Sequence, residues 1–132
     1  MPHPNQDLHE ILYCSNLASG LSPAIVGNIV AHARVRNALR GVTGLLVFDG
    51  YRFCQHIEGP RDATVRLMDR IGDDPRHTDI RVVYDGPLKQ RRYPRFEMGL
   101  VDAEADFPDL VGLDGEEALV RFLQLRPNYD VS

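Results

Sequence analysis

A single dipeptide, Asp49-Gly50, separates two apolar runs at Val42–Phe48 and Tyr51–Ile57. An Asp-Gly pair between alternating hydrophobic residues favours a type I′ turn, whose twist matches that of two antiparallel strands. These residues therefore predict a β-hairpin in the middle of the chain. Because a two-stranded hairpin is at best marginally stable alone, the flanking segments must provide further strands or helices to cover it.

The segments that flank the hairpin alternate between strand and helix patterns. Short runs of alternating apolar residues predict strands, whereas a Ser-Pro N-cap, a Gly-Pro start and a glycine stop predict helix ends. On the second helix, Val65, Met68 and Ile71 recur at three-residue intervals and are expected to face inward. The predicted elements are a first strand at Leu8–Ser15, a first helix between Ser22 and Gly41, a second helix from Gly59-Pro60 to the turn before Pro75, a fourth strand at Ile80–Tyr84, a fifth strand at Phe96–Leu100 and a short helix at Gly115–Leu125.

This order of elements is β-α-β-β-α-β with an added fifth strand and a short C-terminal helix. It predicts an α+β, ferredoxin-like fold in which both long helices cover one face of the sheet. The other face carries the apolar side chains of Leu12, Cys14 and Cys54, so it also needs cover. Either the C-terminal helix or a second subunit would supply that cover.

Composition and charge argue against several classes of function. The 132 residues suit a single domain, and 15 basic against 19 acidic side chains give a net charge of −4, which does not favour nucleic-acid binding. The apolar stretches are far too short to span a membrane, so a cytoplasmic protein is expected. Cys14 and Cys54 have no Cys-x-x-Cys spacing, and His56 lacks further metal ligands nearby, so we expect reduced thiols and no metal site.

Three polar side chains interrupt rows that otherwise look buried. Tyr13 shares a face of the first strand with apolar residues, Asn37 ends the apolar stripe of the first helix, and Gln55 lies in an apolar row of the hairpin. A buried amide or hydroxyl without a partner costs about 1–3 kcal/mol, so each must bond the protein or water, or face a ligand. One phenol and two carboxamides favour recognition of a polar planar molecule over hydrolysis, because they include no activated nucleophile.

The motifs around these residues resemble those of the BLUF domains, blue-light sensors that use flavin, over about residues 8–101. The matching motifs are the tyrosine of the first strand, the asparagine ahead of GVTGLL, the FxQxxEG strand, the D-x-R-H turn and the RR-[FY]…M strand, in the family's order and spacing. The resemblance implies a ferredoxin-like fold with the isoalloxazine ring held between the two long helices. It also implies FAD as the cofactor, with FMN as the alternative.

The resemblance implies photochemical roles for Tyr13, Gln55 and Met98, and a flavin-binding role for Asn37. Tyr13 corresponds to the electron and proton donor, and Gln55 to the amide that switches its hydrogen bonds between this tyrosine and the flavin. Asn37 corresponds to the anchor of the flavin's carbonyl edge. Met98 matches the methionine on the last strand that follows the glutamine, and it is expected to lie beside Gln55.

Five more residues complete the cofactor-binding set that the resemblance implies. Ile29 and Ile71 correspond to apolar walls on either side of the ring, and plain core packing is the alternative for both, since aliphatic residues at helical spacing are usually core. Asp74, Arg76 and His77 match the turn that holds the polar side of the cofactor.

Two positions depart from the family pattern. Arg36 stands where many members have a second asparagine, so that additional flavin contact does not carry over. Phe96 stands where tryptophan is frequent, and its ring has no indole N–H to donate. A mechanism in which a tryptophan exchanges places with the methionine therefore does not transfer to this chain.

The predicted organisation is a flavin-binding domain at residues 8–101 followed by a C-terminal extension at 102–132. We interpret the chain as a short stand-alone photoreceptor without a catalytic output domain, whose signal passes to a separate effector protein. A homo-oligomer through the sheet face opposite the flavin is expected, and neither nucleic acid nor a membrane is expected as a partner. The alternatives are a small acylphosphatase-like hydrolase, which would need a phosphate-cradling loop, and a cofactor-free interaction module.

Overall fold

The computed structural model describes residues 7–100, 110 and 112–125. None of the helices in these ranges is long and apolar enough to cross a membrane. The secondary-structure elements are β1 (Leu8–Leu17), α1 (Ile25–Arg40), β2 (Thr43–Phe48), β3 (Arg52–Pro60), α2 (Arg61–Asp73), β4 (His77–Pro87), β5 (Phe96–Leu100) and α3 (Glu116–Leu125).

One five-stranded sheet runs through the fold in the order β4-β1-β3-β2-β5. Strand β1 pairs antiparallel with both β3 and β4, and β2 pairs antiparallel with β3. Strand β5 lies at the edge and runs parallel to β2. This position agrees with the nearby Pro94, because a proline cannot donate to a ladder and is confined to edges and strand starts. The predicted ferredoxin-like arrangement with an added strand is confirmed.

The central hairpin is present, but its turn lies one residue further along than predicted. The N–H of Asp49 donates to the carbonyl oxygen of Arg52 at 3.2 Å, so Gly50 and Tyr51 are the two turn residues. The carboxylate of Asp49 accepts hydrogen bonds from the N–H groups of Tyr51 (2.9 Å) and Arg52 (2.6 Å). Gly50 has a φ of 100°, which glycine adopts without strain. The prediction of Asp49-Gly50 as the turn centre is therefore wrong, because the Asp49 side chain caps the shifted turn instead.

The first helix begins later than its sequence signal predicts. The N–H of Ala24 donates to Oγ of Ser22 at 3.2 Å, and a single turn precedes the first helical residue, Ile25. The predicted stop is confirmed, because Gly41 adopts a left-handed conformation with a φ of 71°. This end point keeps Asn37 within the last turn of the helix.

The second helix buries a stripe that differs from the predicted one. Thr64 and Leu67 are buried, and Met68 and Ile71 are half-buried against the same cluster. Val65 is 37% exposed, so its predicted inward position is wrong. Each helical residue advances by about 100°, and a strict three-residue interval therefore drifts off the buried face.

The fourth strand is longer than predicted and begins at His77. Its ladder with β1 is shifted between Leu12 and Tyr13, and again between Cys14 and Asn16. Such irregularities leave residues unpaired, re-aim neighbouring side chains and are frequent beside functional sites. Here they flank Tyr13, one of the polar side chains that interrupt the apolar rows.

The two faces of the sheet have separate covers. Helices α1 and α2 pack on the face that carries Phe53 and Ile57. On the opposite face, Leu12 and its neighbours pack against Ala118 and Phe122 of α3. Of the two covers considered for this second face, the C-terminal helix is therefore the one present in the fold.

Candidate functional site

A cavity of about 310 Å³ is lined by residues from α1, α2 and the sheet face beneath them. Its size is in the range of small-molecule sites, which are usually concave and largely apolar with a few polar groups. All eight residues that the sequence assigned to cofactor binding line this cavity. They are Tyr13, Ile29, Asn37, Gln55, Ile71, Asp74, Arg76 and His77.

Tyr13 and Gln55 form a hydrogen-bonded pair in the floor of the cavity. They lie directly opposite each other on β1 and β3, and the Tyr13 hydroxyl donates to Oε1 of Gln55. Tyr13 is 1% and Gln55 6% exposed. Burial raises the pKa of the Tyr13 phenol well above its ordinary value, so the phenol keeps its proton at neutral pH.

The Gln55 amide nitrogen is available to a ligand. Within the described residues, Nε2 of Gln55 has no hydrogen-bond partner, and no fully buried side-chain polar atom is left unpaired. The amide nitrogen is therefore accessible from the cavity that Gln55 lines. It offers two N–H donors there, while Oε1 is occupied by Tyr13.

Asn37 presents a second amide from the opposite side of the cavity. It is 2% exposed, and its backbone carbonyl accepts a hydrogen bond from the N–H of Val42 at 2.8 Å, which ties the end of α1 to the sheet. Its side-chain amide has no partner in the described part of the chain, and it lines the cavity. A buried amide in this position can be satisfied by a ligand with both donors and acceptors.

The turn between α2 and β4 brings an ion pair, Asp74 and Arg76, to the cavity. The Asp74 carboxylate accepts hydrogen bonds from the backbone N–H (2.9 Å) and from Nη2 (2.7 Å) of Arg76. The hydrogen bond from Arg76 lowers the pKa of Asp74, and the same contact raises the pKa of the guanidinium. Both groups are therefore ionised and fix each other in place at neutral pH.

His77 follows this turn and packs beneath the cavity. Its Nδ1 lies 3.0 Å from Oγ of Ser15, and its ring centroid lies 4.8 Å from that of Phe53. Burial lowers the pKa of the imidazole below its ordinary value, so the ring is neutral at pH 7. A neutral, packed histidine contributes surface and a hydrogen-bonding group here, and no positive charge.

The cavity also has lining residues that the sequence interpretation missed. Leu46, Phe53 and Phe96 contribute apolar surface, and Arg36 contributes a cation. Leu46 lies directly opposite Gln55 in the β2–β3 ladder, a register that the shifted turn sets and that a turn centred on Asp49-Gly50 would not give. Phe96 was expected on the fifth strand and noted as a departure from the family pattern, but it was not assigned to the site whose cavity it lines.

Met98 is placed further from the polar pair than expected. It lies opposite Leu46 on β2, and Leu46 in turn lies opposite Gln55 on β3. Neighbouring strands are about 4.8 Å apart, so the backbones of Met98 and Gln55 are separated by about 10 Å. Met98 packs against the cluster that contains Phe48. It shares the sheet face of Gln55 but is not its direct neighbour, and it does not line the cavity.

The opposite sheet face holds a buried ionic cluster that the sequence did not reveal. His56 is fully buried, with Nε2 donating to Oε1 of Glu10 at 2.8 Å and Nδ1 lying 2.7 Å from the Tyr93 hydroxyl. Arg92 also donates to Glu10, at 2.9 Å. Burial by itself raises the pKa of Glu10, but the hydrogen bonds from His56 and Arg92 more than offset this and lower it.

The residues of the cavity fit a planar ring with a hydrogen-bonding edge. Ile29 on α1 and Ile71 on α2 provide aliphatic walls, and the amides of Asn37 and Gln55 are open to whatever lies between them. These groups match the flavin ring that the sequence resemblance implies, whose edge carries carbonyl acceptors and an N–H donor. The described lining residues include no activated nucleophile, so the site suits binding better than covalent catalysis.

Two sequence comparisons place the chain among known proteins. The sequence profile of a family described as BLUF, sensors of blue-light using FAD, matches residues 8–99. The chain is 40% identical over 87 residues to photoactivated adenylate cyclase subunit beta of Euglena gracilis, which covers 66% of this chain and 10% of that protein. The chain thus spans about a tenth of the length of this curated relative.

Solved structures show the same fold. The dark-state structure of BlrB, a BLUF protein, superposes with a TM-score of 0.76 at 32% identity, covering 94% of this chain and 97% of that chain. A structure of Klebsiella pneumoniae BlrP1 with FMN and cyclic diGMP superposes with a TM-score of 0.67 at 28% identity, covering 85% of this chain and 29% of that chain.

Proposed function

The chain belongs to the BLUF family, the sensors of blue light that use FAD, and from this membership we propose how its own residues bind the flavin and respond to light. The family match favours this function over the hydrolase and the cofactor-free module. The chain is thus a photosensory flavoprotein, and residues 8–101 are its proposed flavin-binding domain. The polar pair Tyr13 and Gln55 is its proposed photochemical centre.

The proposed binding site uses both walls and the floor of the cavity. Ile29 and Ile71 would hold the two faces of the flavin ring, and Asn37 would hydrogen-bond its carbonyl edge. The support is that the Asn37 amide is buried, opens to the cavity and has no side-chain partner among the described residues. FAD is the family's cofactor, and FMN is the proposed alternative, since BlrP1 contains it.

The turn at the end of α2 is proposed to hold the polar part of the cofactor. The Asp74–Arg76 pair is fixed by several hydrogen bonds, so a ligand would meet a pre-organised cation and anion. His77 is neutral and packs on Phe53. These three side chains would therefore position the ligand rather than exchange protons with it.

The proposed light response is a change in the hydrogen bond between Tyr13 and Gln55. A flavin bound in this cavity would supply the absorption of blue light and serve as the electron acceptor. Tyr13 is the proposed donor of the electron and of the phenolic proton, which is present because burial keeps the phenol protonated. Turning the Gln55 amide over would aim Nε2 at the Tyr13 oxygen and Oε1 into the cavity, which reverses the donor and acceptor offered there.

The output of the sensor is proposed to be another protein. The Euglena relative is an adenylate cyclase subunit by name. We propose instead that this domain is not itself catalytic. Residues 102–132 would form an extension through which a separate effector reads the signal.

A homo-oligomer through the sheet face opposite the cavity is a second proposal. Since α3 covers that face, such a contact would use the outer side of α3, where Val120 is 51% exposed.

The observation that carries the proposed function is the hydrogen bond from Tyr13 to Gln55, whose amide nitrogen lines the cavity and has no partner among the described residues. The test is an absorption spectrum of the purified protein before, during and after blue illumination. We expect about one flavin per chain and a small red shift of the flavin bands that reverses in darkness. A colourless protein that cannot be reconstituted with FAD, FMN or riboflavin, or a stable bleached adduct, would contradict the proposal.

A further inference from the structure

The two cysteines of the chain form a pair on the sheet face opposite the flavin cavity. Cys14 and Cys54 lie directly opposite each other in the β1–β3 ladder. Their sulfur atoms are 3.6 Å apart, and both thiols are free. Each cysteine is the chain neighbour of a residue in the photochemical centre, since Cys14 follows Tyr13 and Cys54 precedes Gln55.

The register of β1 and β3 brings the two cysteines close to the geometry of a disulfide. Directly opposite residues on antiparallel strands have Cβ atoms about 4.5–5.5 Å apart. A disulfide needs a Cβ separation of about 3.5–4.5 Å and an S–S bond of about 2.05 Å. Side-chain rotation and a small approach of β1 to β3 would therefore close the gap between the sulfur atoms of Cys14 and Cys54, without a change of register.

The two thiols differ in exposure and in pKa, as expected for a disulfide that forms in two steps. Cys14 is half-buried, and its pKa is lowered first by the hydrogen bond with Cys54 and also by the charge of Arg81, which lies opposite it on β4. Cys54 is fully buried, and burial raises its pKa. Arg81 is itself ion-paired with Asp114 at 2.7 Å, so the assignment of Cys14 as the attacking group rests mainly on its partial exposure, with the buried Cys54 sulfur within reach as the resolving thiol.

We propose that Cys14 and Cys54 form a reversible, peroxide-driven disulfide directly behind the Tyr13–Gln55 pair. The Cys14 thiolate attacks hydrogen peroxide, breaks its O–O bond and becomes a sulfenic acid, with release of hydroxide. The Cys54 sulfur then attacks the Cys14 sulfur, forms the S–S bond and expels water. Overall, two thiols and one peroxide give one disulfide and two waters, and two electrons pass from sulfur to oxygen. A small-molecule dithiol reverses the step.

The disulfide would link redox state to the light response. It ties β1 to β3 at the residues next to Tyr13 and Gln55, so the strands that present the hydroxyl and the amide move closer on the back face. The length and orientation of the Tyr13–Gln55 hydrogen bond depend on this strand pairing. The dark-recovery rate of the light state is therefore expected to change when the disulfide forms. This link rests on the proposed function, whereas the disulfide itself does not.

The test exposes the reduced, flavin-loaded full chain to hydrogen peroxide in the dark, followed by thiol titration and intact-mass measurement under denaturing conditions. We expect the loss of both thiols and of two hydrogen atoms per monomer, and recovery of both with dithiothreitol. The matched variants Cys14→Ser and Cys54→Ala each leave one thiol and should show no such loss. Their flavin spectra report whether they fold.

Two results would overturn the proposal. Persistence of both wild-type thiols, or their consumption only through oxygen addition or intermolecular dimers, would exclude the internal disulfide. Formation of the disulfide with an unchanged dark-recovery rate would remove its link to the light response. The thiol readout does not require light or flavin, so it stays informative even where the photochemical proposal fails.

Discussion

The hydroxyl of Tyr13 donates to Oε1 of Gln55 across the β1–β3 ladder, in the floor of the cavity between the sheet and the two long helices. This pairing leaves the Gln55 amide nitrogen as the group presented to a ligand. An amide can exchange its oxygen and nitrogen by turning over, and a hydroxyl can both donate and accept. The pair can therefore adopt two hydrogen-bonded arrangements without moving either strand, which is the physical basis of the following predictions.

Tyr13→Phe is expected to retain flavin and to lose the light-induced red shift. The substitution removes only the hydroxyl, so the aromatic ring still fills the floor of the cavity, while the proposed donor of the electron and proton is lost. Oε1 of Gln55 loses a partner, which is expected to cost about 1–3 kcal/mol of stability. Absorption spectra before and after blue light measure the effect. Tyr84→Phe, a half-buried tyrosine of the opposite sheet face, is the matched control and should keep the shift.

Gln55→Leu is expected to abolish the red shift by a different route. Leucine has a similar volume and keeps the ring of Tyr13 in place, but it has no amide to exchange between two arrangements. The measurement is the difference spectrum of the illuminated and dark protein. A normal shift in this variant would remove Gln55 from its proposed role. The exposed Gln90→Leu tests whether loss of a glutamine elsewhere has any effect.

Asn37→Ala is expected to weaken flavin binding and to leave the shift intact in the bound fraction. A ligand carbonyl left unpaired in the cavity would cost about 1–3 kcal/mol, which corresponds to about a 5- to 150-fold rise in Kd. Titration of the reconstituted apoprotein by fluorescence quenching measures this constant. Asn28→Ala on the exposed side of the same helix should bind as the wild type does. Equal affinities in the two variants would place the flavin edge away from Asn37.

Glu10→Gln is expected to lower the free energy of unfolding at neutral pH by about 1–3 kcal/mol, because charged hydrogen bonds to His56 and Arg92 become neutral ones. The pKa of Glu10 is lowered in the folded protein. Its contribution to stability is therefore complete above the ordinary value of about 4.3 and is lost as the pH falls through the folded value.

Urea unfolding of wild type and Glu10→Gln at several pH values tests the expected pH dependence of the Glu10 contribution to stability. The difference between the two proteins should be largest above pH 5 and should shrink as the pH falls below about 4.3. The exposed Glu117→Gln on α3 should show no comparable difference. A gap between wild type and Glu10→Gln that stays constant into acid would mean that the Glu10 carboxylate is not stabilised by its buried partners.

The sequence predicts the site best where a motif and a structural periodicity coincide. Asn37 lies at the end of an apolar helical stripe, and Gln55 lies in an alternating strand, so both were expected to be buried and polar. The structure places both in the cavity wall. Ile29 and Ile71 also line the cavity, but their spacing alone does not separate a ligand wall from ordinary core.

Other features depend on contacts that no local pattern contains. The exposure of Val65 depends on which side of α2 is turned toward the sheet. The position of the turn at Gly50 depends on hydrogen bonds from backbone N–H groups to the Asp49 side chain. The burial of His56 with Glu10 brings together residues 46 positions apart. Only strand pairing and the position of α3 create that cluster, so its composition could not be predicted from spacing.

Leu46 lies between Gln55 and Met98 across three neighbouring strands. This row of side chains suggests how a change in the cavity reaches the sheet edge. All three lie on one face of neighbouring strands. We expect a rearranged Gln55 amide to change the packing of Leu46 and, through Leu46, that of Met98 on β5. In the described sheet, β5 is an edge strand that pairs with β2, and edge elements open at lower free energy than central ones.

The expected outcome is a light-dependent change of hydrogen exchange in residues 93–125, where the chain passes from β5 to α3. Met98→Ala should abolish this change and keep the red shift, because it removes the packing contact and leaves Tyr13 and Gln55 intact. Met68→Ala on α2 is the control and should respond as the wild type does. The measurement is peptide-level exchange in dark and light. If light changed exchange only in α1 while residues 93–125 stayed constant, the signal would leave through the helix that walls the cavity and not through the sheet edge.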